Sequence, residues 1–276
     1  VVAALLKIKA VSIRQFEEAA GSLDEFNRAM EMALTALLMT RTEEIDRFAA
    51  RGGDTGVVVF GSDQGMCGQF NDQILGLTEQ RLREMQEEGR QLTIWACGIR
   101  IVSRLEDAGF ALERVFELPG SVDGISPAVQ ELAIELQSWT RKRGLYEIHL
   151  MHNRTAKRAP FAPSTRRLLP PDPSWLERIA KKEWPTRQIP DHSGEWREML
   201  SAVMRQYIFA GLFSAFAMSL AGENAARLTS MQAAERNIEE MLDKLVMDYN
   251  QERQTSITEE LIDIISGFEA MTGGKV

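Results

Sequence analysis

The stretch GSDQGMCGQF, Gly61–Phe70, follows a β-rich run and precedes a helical one. A glycine-rich strand-to-helix turn can present backbone N–H groups to a phosphate. Both GxGxxG and the Walker pattern with its Lys-Ser/Thr are absent, however. A tight turn packed against a neighbouring helix is therefore the preferred reading. No neighbouring base or cation marks Cys67 as a reactive thiol. His149 and His152 look like a ligand pair, but strand positions three apart point to opposite faces. They read as structural histidines, and His192 stands alone in a loop. From Arg154 to Arg187, nine Lys/Arg stand against three acids, a local net of +6 that leaves −14 on the rest of the chain. Such a patch can meet phosphates, lipid headgroups or an acidic protein, or be a solvated face. There is no readable nucleophile–base–acid set, no HExxH and no catalytic carboxylate pair. The sequence gives no support for catalysis by this chain alone.

A different signal comes from NQERQTS, Asn250–Ser256. Ile238, Met241, Leu242, Leu245, Val246 and Tyr249 upstream fall at helical spacing, as do Ile257, Leu261, Ile264, Ile265 and Phe268 downstream. Seven residues without an apolar side chain separate them, and no proline or glycine ends the helix. A stripe that stops and resumes within one helix reads either as a solvated stretch or as a recognition surface.

The elements that carry these residues follow from proline placement and periodicity. All nine prolines lie between Pro119 and Pro190. Proline costs roughly 3 kcal/mol inside a helix, so the proline-free flanks permit long ones. Residues 2–50 read as helical, with Leu23, Phe26, Met30, Leu34 and Leu37 at coiled-coil steps. Gly21 weakens the pattern locally, and Gly52-Gly53 is a plausible stop. In the middle, GVVVFGS, LTIWACG and LYEIHLMHN are short β-rich runs. Helical patterns at Gln69–Gly89, Ile99–Ala108 and Pro127–Lys142 separate them, and Ala111–Leu118 is a further candidate strand. This alternation predicts an α/β domain with a largely parallel sheet, followed by an edge hairpin and irregular connections. From Glu195 to Ala270, a continuous helix of roughly 76 residues would span about 110 Å, against about 50 Å for a compact chain of this size. An antiparallel rod of the two chain ends is expected, with the α/β domain inserted between them. Gly211, Gly222 and Gly267 would mark the breaks if shorter helices folded onto the domain instead.

Composition excludes little beyond extremes. The 276 residues are 44% hydrophobic and 26% charged, as in ordinary soluble proteins. A net charge of −8 argues against nucleic acid as the partner of the whole chain. Two cysteines without metal spacing, Cys67 and Cys97, suggest a reducing compartment. No signal peptide is readable, and YIFAGLFSAFAMSLAG, Tyr207–Gly222, reads as a helix buried on most sides rather than a membrane span.

Two stretches resemble a known family. SLAGENAARLTSMQAAERNIEEML with YNQERQTSITEELIDIISG is similar to the C-terminal helix of the gamma subunit of F-type ATP synthases. SDQGMCGQFN after VVVFG is similar to that family's strand-turn-helix loop. The resemblance covers nearly the whole chain. It implies an antiparallel coiled coil of the N- and C-terminal helices with an inserted Rossmann-like α/β domain: residues 1–50 and 195–271 as the coil, 54–190 as the domain. It also implies the central stalk of a rotary motor, coupling ion-driven rotation of a c-subunit ring to ATP synthesis or hydrolysis. The implied partners are the alpha and beta subunits of the catalytic hexamer, the epsilon subunit and the c-ring. The implied place is peripheral to the membrane, on the cytoplasmic face of a bacterial plasma membrane. Nucleotide and magnesium bind to alpha and beta in that family, so no cofactor or metal is expected on this chain.

By the same resemblance, Arg253 and Gln254, with Ser256, Thr258 and Glu260, reach loops of the beta subunits. Ser62, Asp63, Gly65, Cys67 and Gly68 form the loop region at the base. Arginine suits such a contact because it offers a fixed fork of donors and stays charged. The chain departs from the family at Gln64, where a basic residue is common, and at Glu252, where a small one is usual. Residues 1–50 carry six basic against eight acidic side chains, fewer basic than typical. The chain starts inside the implied first helix, so N-terminal sequence is expected to be missing or altered. AVSIRQFEEA is similar to a divergent, alternate bacterial branch that includes sodium pumps, which leaves proton and sodium both open. Two competing classes remain beside the rotor. One is a stand-alone Rossmann-like protein binding nucleotide at Gly61–Gly68. The other is a coiled-coil adaptor using its basic patch.

Overall fold

The computed structural model describes residues 2–40, 54–143, 147–184 and 194–272. The expected stop at Gly52-Gly53, the end of the first helical pattern, His192, Arg187 and the start of LYEIHLMHN lie outside them. The chain divides into two compact units, essentially residues 3–230 and residues 231–276.

In the first unit a five-stranded sheet has the order β3-β2-β1-β4-β5. Its strands are β1 (Thr55–Phe60), β2 (Leu92–Cys97), β3 (Arg114–Phe116), β4 (Glu147–Arg154) and β5 (Ala162–Leu169). The first four are mutually parallel and β5 is antiparallel to β4. Parallel strands covered on both faces need continuous apolar runs. TGVVVF supplies one, and all six of its residues are buried. α3 (Phe70–Glu87) and α4 (Ile99–Asp107) cover one face, where Val57, Val59, Ile94 and Ala96 pack with Ile74, Leu82, Ile101 and Leu105. On the other face Val58, Phe60, Trp95 and Leu150 pack with Val129 and Leu132 of α5 (Ile125–Arg143) and with Leu212, Phe216 and Leu220 of α7 (Trp196–Thr272). Phe60 and Phe216 meet edge-to-face at 4.8 Å, a favoured arrangement of ring quadrupoles.

The N-terminal helical pattern is two helices, α1 (Val2–Gly21) and α2 (Leu23–Thr40). Ser22 separates them and turns its hydroxyl back onto the Ala19 carbonyl at 2.8 Å. This local competition for a backbone acceptor explains a break beside Gly21. α2 packs against the start of α7, with the Trp196 indole N–H donating to the Leu37 carbonyl at 3.1 Å. α1 shares a cavity with Leu220, Glu223 and Arg227. Pairing 37 with 196 and 9–16 with 220–227 makes the terminal helices antiparallel within this unit.

α7 is unbroken over 77 residues. Its glycines are not breaks. A Cβ at Gly211 would stand 2.4 Å from Leu168 Cδ1, and one at Gly222 would touch Phe161 and Phe70, so both mark close packing. By length and composition α7 is apolar enough to cross a membrane, but Tyr207, Leu212, Phe216 and Leu220 are buried within the domain. One helix escaped the sequence reading: α6 (Pro173–Ala180). The Asp172 carboxylate accepts from the Ser174 N–H at 2.9 Å and Pro173 opens the first turn. These are ordinary helix-start signals.

Candidate functional site

Residues 61–69 leave the end of β1 and enter α3. Several polar groups of this turn are paired within the protein. The Asn71 side chain accepts from the Ser62 N–H at 3.0 Å and donates to Ser62 Oγ at 2.8 Å. Ser62 Oγ lies 3.5 Å from Cys67 Sγ. Asp63 reaches the other way, accepting from the Ile99 N–H at 2.8 Å and the Leu118 N–H at 3.0 Å. Its carboxylate thus occupies the N-terminus of α4, where a helix favours negative charge. The Asn153 amide donates to the Phe70 carbonyl at 2.9 Å, tying the end of β4 to the start of α3.

Backbone shape explains the glycines. Gly68 has φ +54° and stands against Ser230, and a Cβ at Gly61 would fall 2.4 Å from Ile101 Cβ. Met66 also adopts a positive φ of 58° and is mostly exposed. Cys67 is 4% exposed, packed with Phe70, Phe161 and Ala226. Cys97 is fully buried, and burial pushes its thiol well above the ordinary range. The Cys97 environment thus disfavours a thiolate.

From α7, Arg227 closes over this turn. Its Nε donates to the Gly65 carbonyl at 3.3 Å, and its Nη2 donates to the Gln64 carbonyl at 3.4 Å and to Glu223 Oε1 at 2.5 Å. Arg227, Glu223, Asn71 and Asn153 are all buried. Sequence reasoning passed over these four as site residues. The readable signal was an acid and a base one helical turn apart on an otherwise apolar stretch.

The histidines sit apart from the turn. His149 meets Glu147 at 3.0 Å and is largely buried. His152 is 5% exposed, beside Phe60 and the Asn153 carbonyl. Burial above all lowers both imidazoles below their ordinary range, so they sit neutral. Among the described residues no three His, Cys, Asp or Glu side chains cluster as a metal site.

The residues suggested as partner contacts lie in the second unit. Arg253, Gln254, Ser256, Thr258 and Glu260 are all exposed on α7, as is every described side chain from Arg236 to Glu269. The Thr258 hydroxyl donates to the Gln254 carbonyl at 2.8 Å, a helical back-bond that leaves the side chains outside free.

The fold is that of an α/β protein with a 77-residue helix whose outer side chains are exposed, and Arg227 of that helix closes over the glycine-rich turn. The sequence matches the family described as ATP synthase over residues 1–271. An ATP synthase gamma chain of Syntrophus aciditrophicus is 31% identical over 228 residues, covering 79% of this chain and 74% of its own. Another, from Clavibacter sepedonicus, is 28% identical over 291 residues, covering 97% and 91%. Among solved structures, the central stalk and c-ring structure of Tetrahymena thermophila mitochondrial ATP synthase contains a chain of like fold. Its TM-score is 0.58 at 15% identity, with 85% of this chain and 99% of that one covered. The chain belongs to the ATP synthase family, among its gamma chains. Its function is the gamma subunit's, that of the central-stalk rotor in an F-type ATP synthase.

Proposed function

We propose that the chain performs no catalysis itself and serves as the turning element between an ion-driven ring and a catalytic hexamer. On this reading residues 1–50 and 195–271 form the rod, and residues 54–190 form the domain at its base. The outer part of α7 meets the alpha and beta subunits, with Arg253, Gln254, Ser256, Thr258 and Glu260 facing loops of beta. The turn at Ser62, Asp63, Gly65, Cys67 and Gly68 holds the base. The epsilon subunit and the c-ring bind the domain end, peripheral to the membrane on the cytoplasmic side in a bacterium.

The observation that carries this reading is the exposure of the outer helix. Leu245 is 63% and Tyr249 67% exposed, although both stand at core-like spacing. Apolar side chains so displayed over several turns mark an interaction surface.

Reconstitution tests the reading. The chain is mixed with alpha and beta subunits from the same source. The expected result is a stable three-component complex with stimulated ATP hydrolysis. Absence of any complex, together with nucleotide binding by the isolated chain, would overturn it.

A further inference from the structure

Glu223 and Arg227 lie one turn apart on α7 and are 6% and 4% exposed. A buried ion pair is often no more stable than apolar residues of the same shape, so its presence on a buried helix face needs another reason. The pair is not closed on itself. Arg227 also donates to the carbonyls of Gln64 and Gly65, which belong to the turn after β1. One turn further along α7, Ser230 Oγ stands so close to Gly68 that a Cβ there would be 2.8 Å away. A polar cavity of about 120 Å³ adjoins the contact, lined by Lys9, Asp63, Gln64, Glu223 and Arg227 among others. Burial pushes the Glu223 carboxyl up, with Arg227 opposing, and pushes the Lys9 ammonium down, with Arg227 adding to it.

We propose that Arg227 is a positioning residue for rotation: its guanidinium fastens α7 to the sheet's first turn, so that the helix and the α/β domain turn as one body. This rests on the rotor function. Apolar packing is non-directional, whereas a hydrogen-bonded guanidinium adds a directional constraint to it. A planar fork held by two carbonyls and a carboxylate fixes the angle of the helix about its own axis. The turn is itself fixed to α3 through Asn71 and to α4 through Asp63. Arg227 therefore connects the helix to the rigid part of the domain rather than to a mobile loop.

The test uses the assembled complex in sealed vesicles, with ATP hydrolysis and ATP-driven ion uptake measured together. Arg227→Gln removes the fork. Hydrolysis is expected to stay within about twofold, while ions moved per ATP fall by about tenfold, the factor of one lost charge-assisted contact. Glu223→Gln keeps an acceptor for Arg227 and is expected to couple nearly normally. The swap Glu223→Arg with Arg227→Glu keeps an ion pair but sets a carboxylate against the two carbonyls, and is expected to uncouple. Arg227→Lys, which retains the charge but not the planar fork, provides a milder variant if the others fail to fold, with an intermediate loss expected. Full coupling in Arg227→Lys or in the swap overturns the proposal. So does a loss of hydrolysis and ion uptake in equal proportion, which would mean a role in stability alone. Failure of the unaltered chain to assemble with alpha and beta would strike the rotor reading instead.

Discussion

Two stretches of the same helix, Tyr207–Arg227 and Arg236–Glu269, make opposite use of similar apolar spacing. In the first, Leu212, Ala215, Phe216, Ala217 and Leu220 are buried. In the second, every described side chain is exposed, including Ile238, Leu242, Leu245, Ile257 and Leu261. The difference lies between the large residues. Ala210, Gly211, Ala215, Ala217, Ala221, Gly222 and Ala226 let neighbours such as Leu168, Phe161 and Phe70 approach the first stretch closely, and a helix apolar all round is a buried one. The second stretch sets Glu239, Glu240, Asp243, Lys244 and Asp248 between its apolar residues, which leaves a single stripe on a charged helix. Spacing alone says that a helix has an apolar face; the residues between say whether the fold covers it.

The largest expected effect breaks the buried stretch. Phe216 is fully buried and meets Phe60 edge-to-face, so Phe216→Ala should lower stability by about 3–5 kcal/mol. Leu245→Ala, at 63% exposure, should move it by no more than about 0.5 kcal/mol. Urea unfolding of both variants checks the contrast. Similar losses at the two sites would mean that the outer stripe is covered within the chain itself.

Glycine sharpens the same contrast. Gly61→Ala drives a Cβ into Ile101 Cβ and the Asn71 side chain, and should destabilise by about 1–3 kcal/mol. Gly267 has open space around it, so Gly267→Ala should stabilise the outer helix by about 0.5–1 kcal/mol. Thermal unfolding followed by helical circular dichroism gives both signs.

How much of this was legible follows from which forces act locally. The runs TGVVVF and LTIWAC declared buried parallel strands because both faces of such strands must be apolar. The patterns at Gln69–Gly89 and Ile99–Ala108 declared helices through their period, and the helices run over Phe70–Glu87 and Ile99–Asp107. The lesser signals were α6, whose Asp172-Pro173 start lay inside a proline-rich stretch, and the break at Ser22, which one hydroxyl decides. The candidate turn was located by its glycines, but not its closure. Asp63 meets Ile99 and Leu118, 36 and 55 residues away, and Arg227 meets Gly65 from 162 residues away. Pairings at that separation are set by tertiary packing and leave no local pattern. Glycine in α7 was read as a possible break, whereas Gly211 and Gly222 answer to neighbours that only the fold brings there.

A smaller effect tests the domain through pH. Burial, then Arg166 and Arg154, lower the His152 imidazole, and burial chiefly lowers His149. An unfolded chain takes up protons on these rings as pH falls below their ordinary value of 6.5, while the folded chain resists. The stability they contribute is therefore present above about pH 6.5 and is lost as pH falls through the folded values. Unfolding midpoints should decline over that window, and His152→Gln should make the decline shallower. An unchanged slope in the variant would show that His152 titrates alike in both states.

The smallest effect on stability carries the largest consequence for function. Arg253 and Gln254 are exposed and Arg253 has no ion pair among the described residues, so Arg253→Ala with Gln254→Ala should leave the unfolding midpoint of the isolated chain within about 0.5 kcal/mol of its original stability. If these side chains face the beta subunits, the cost appears only in the complex. A guanidinium contact to a charged or carbonyl partner contributes about 1.5–3 kcal/mol, enough to weaken torque transfer markedly at each step of rotation. Coupled ATP synthesis by the double variant should therefore fall while assembly persists. A fall of equal size in Glu252→Ala would spread the effect over the whole polar interval. Unchanged synthesis in the double variant would remove Arg253 and Gln254 from the contact and return NQERQTS to the role of a solvated turn of helix.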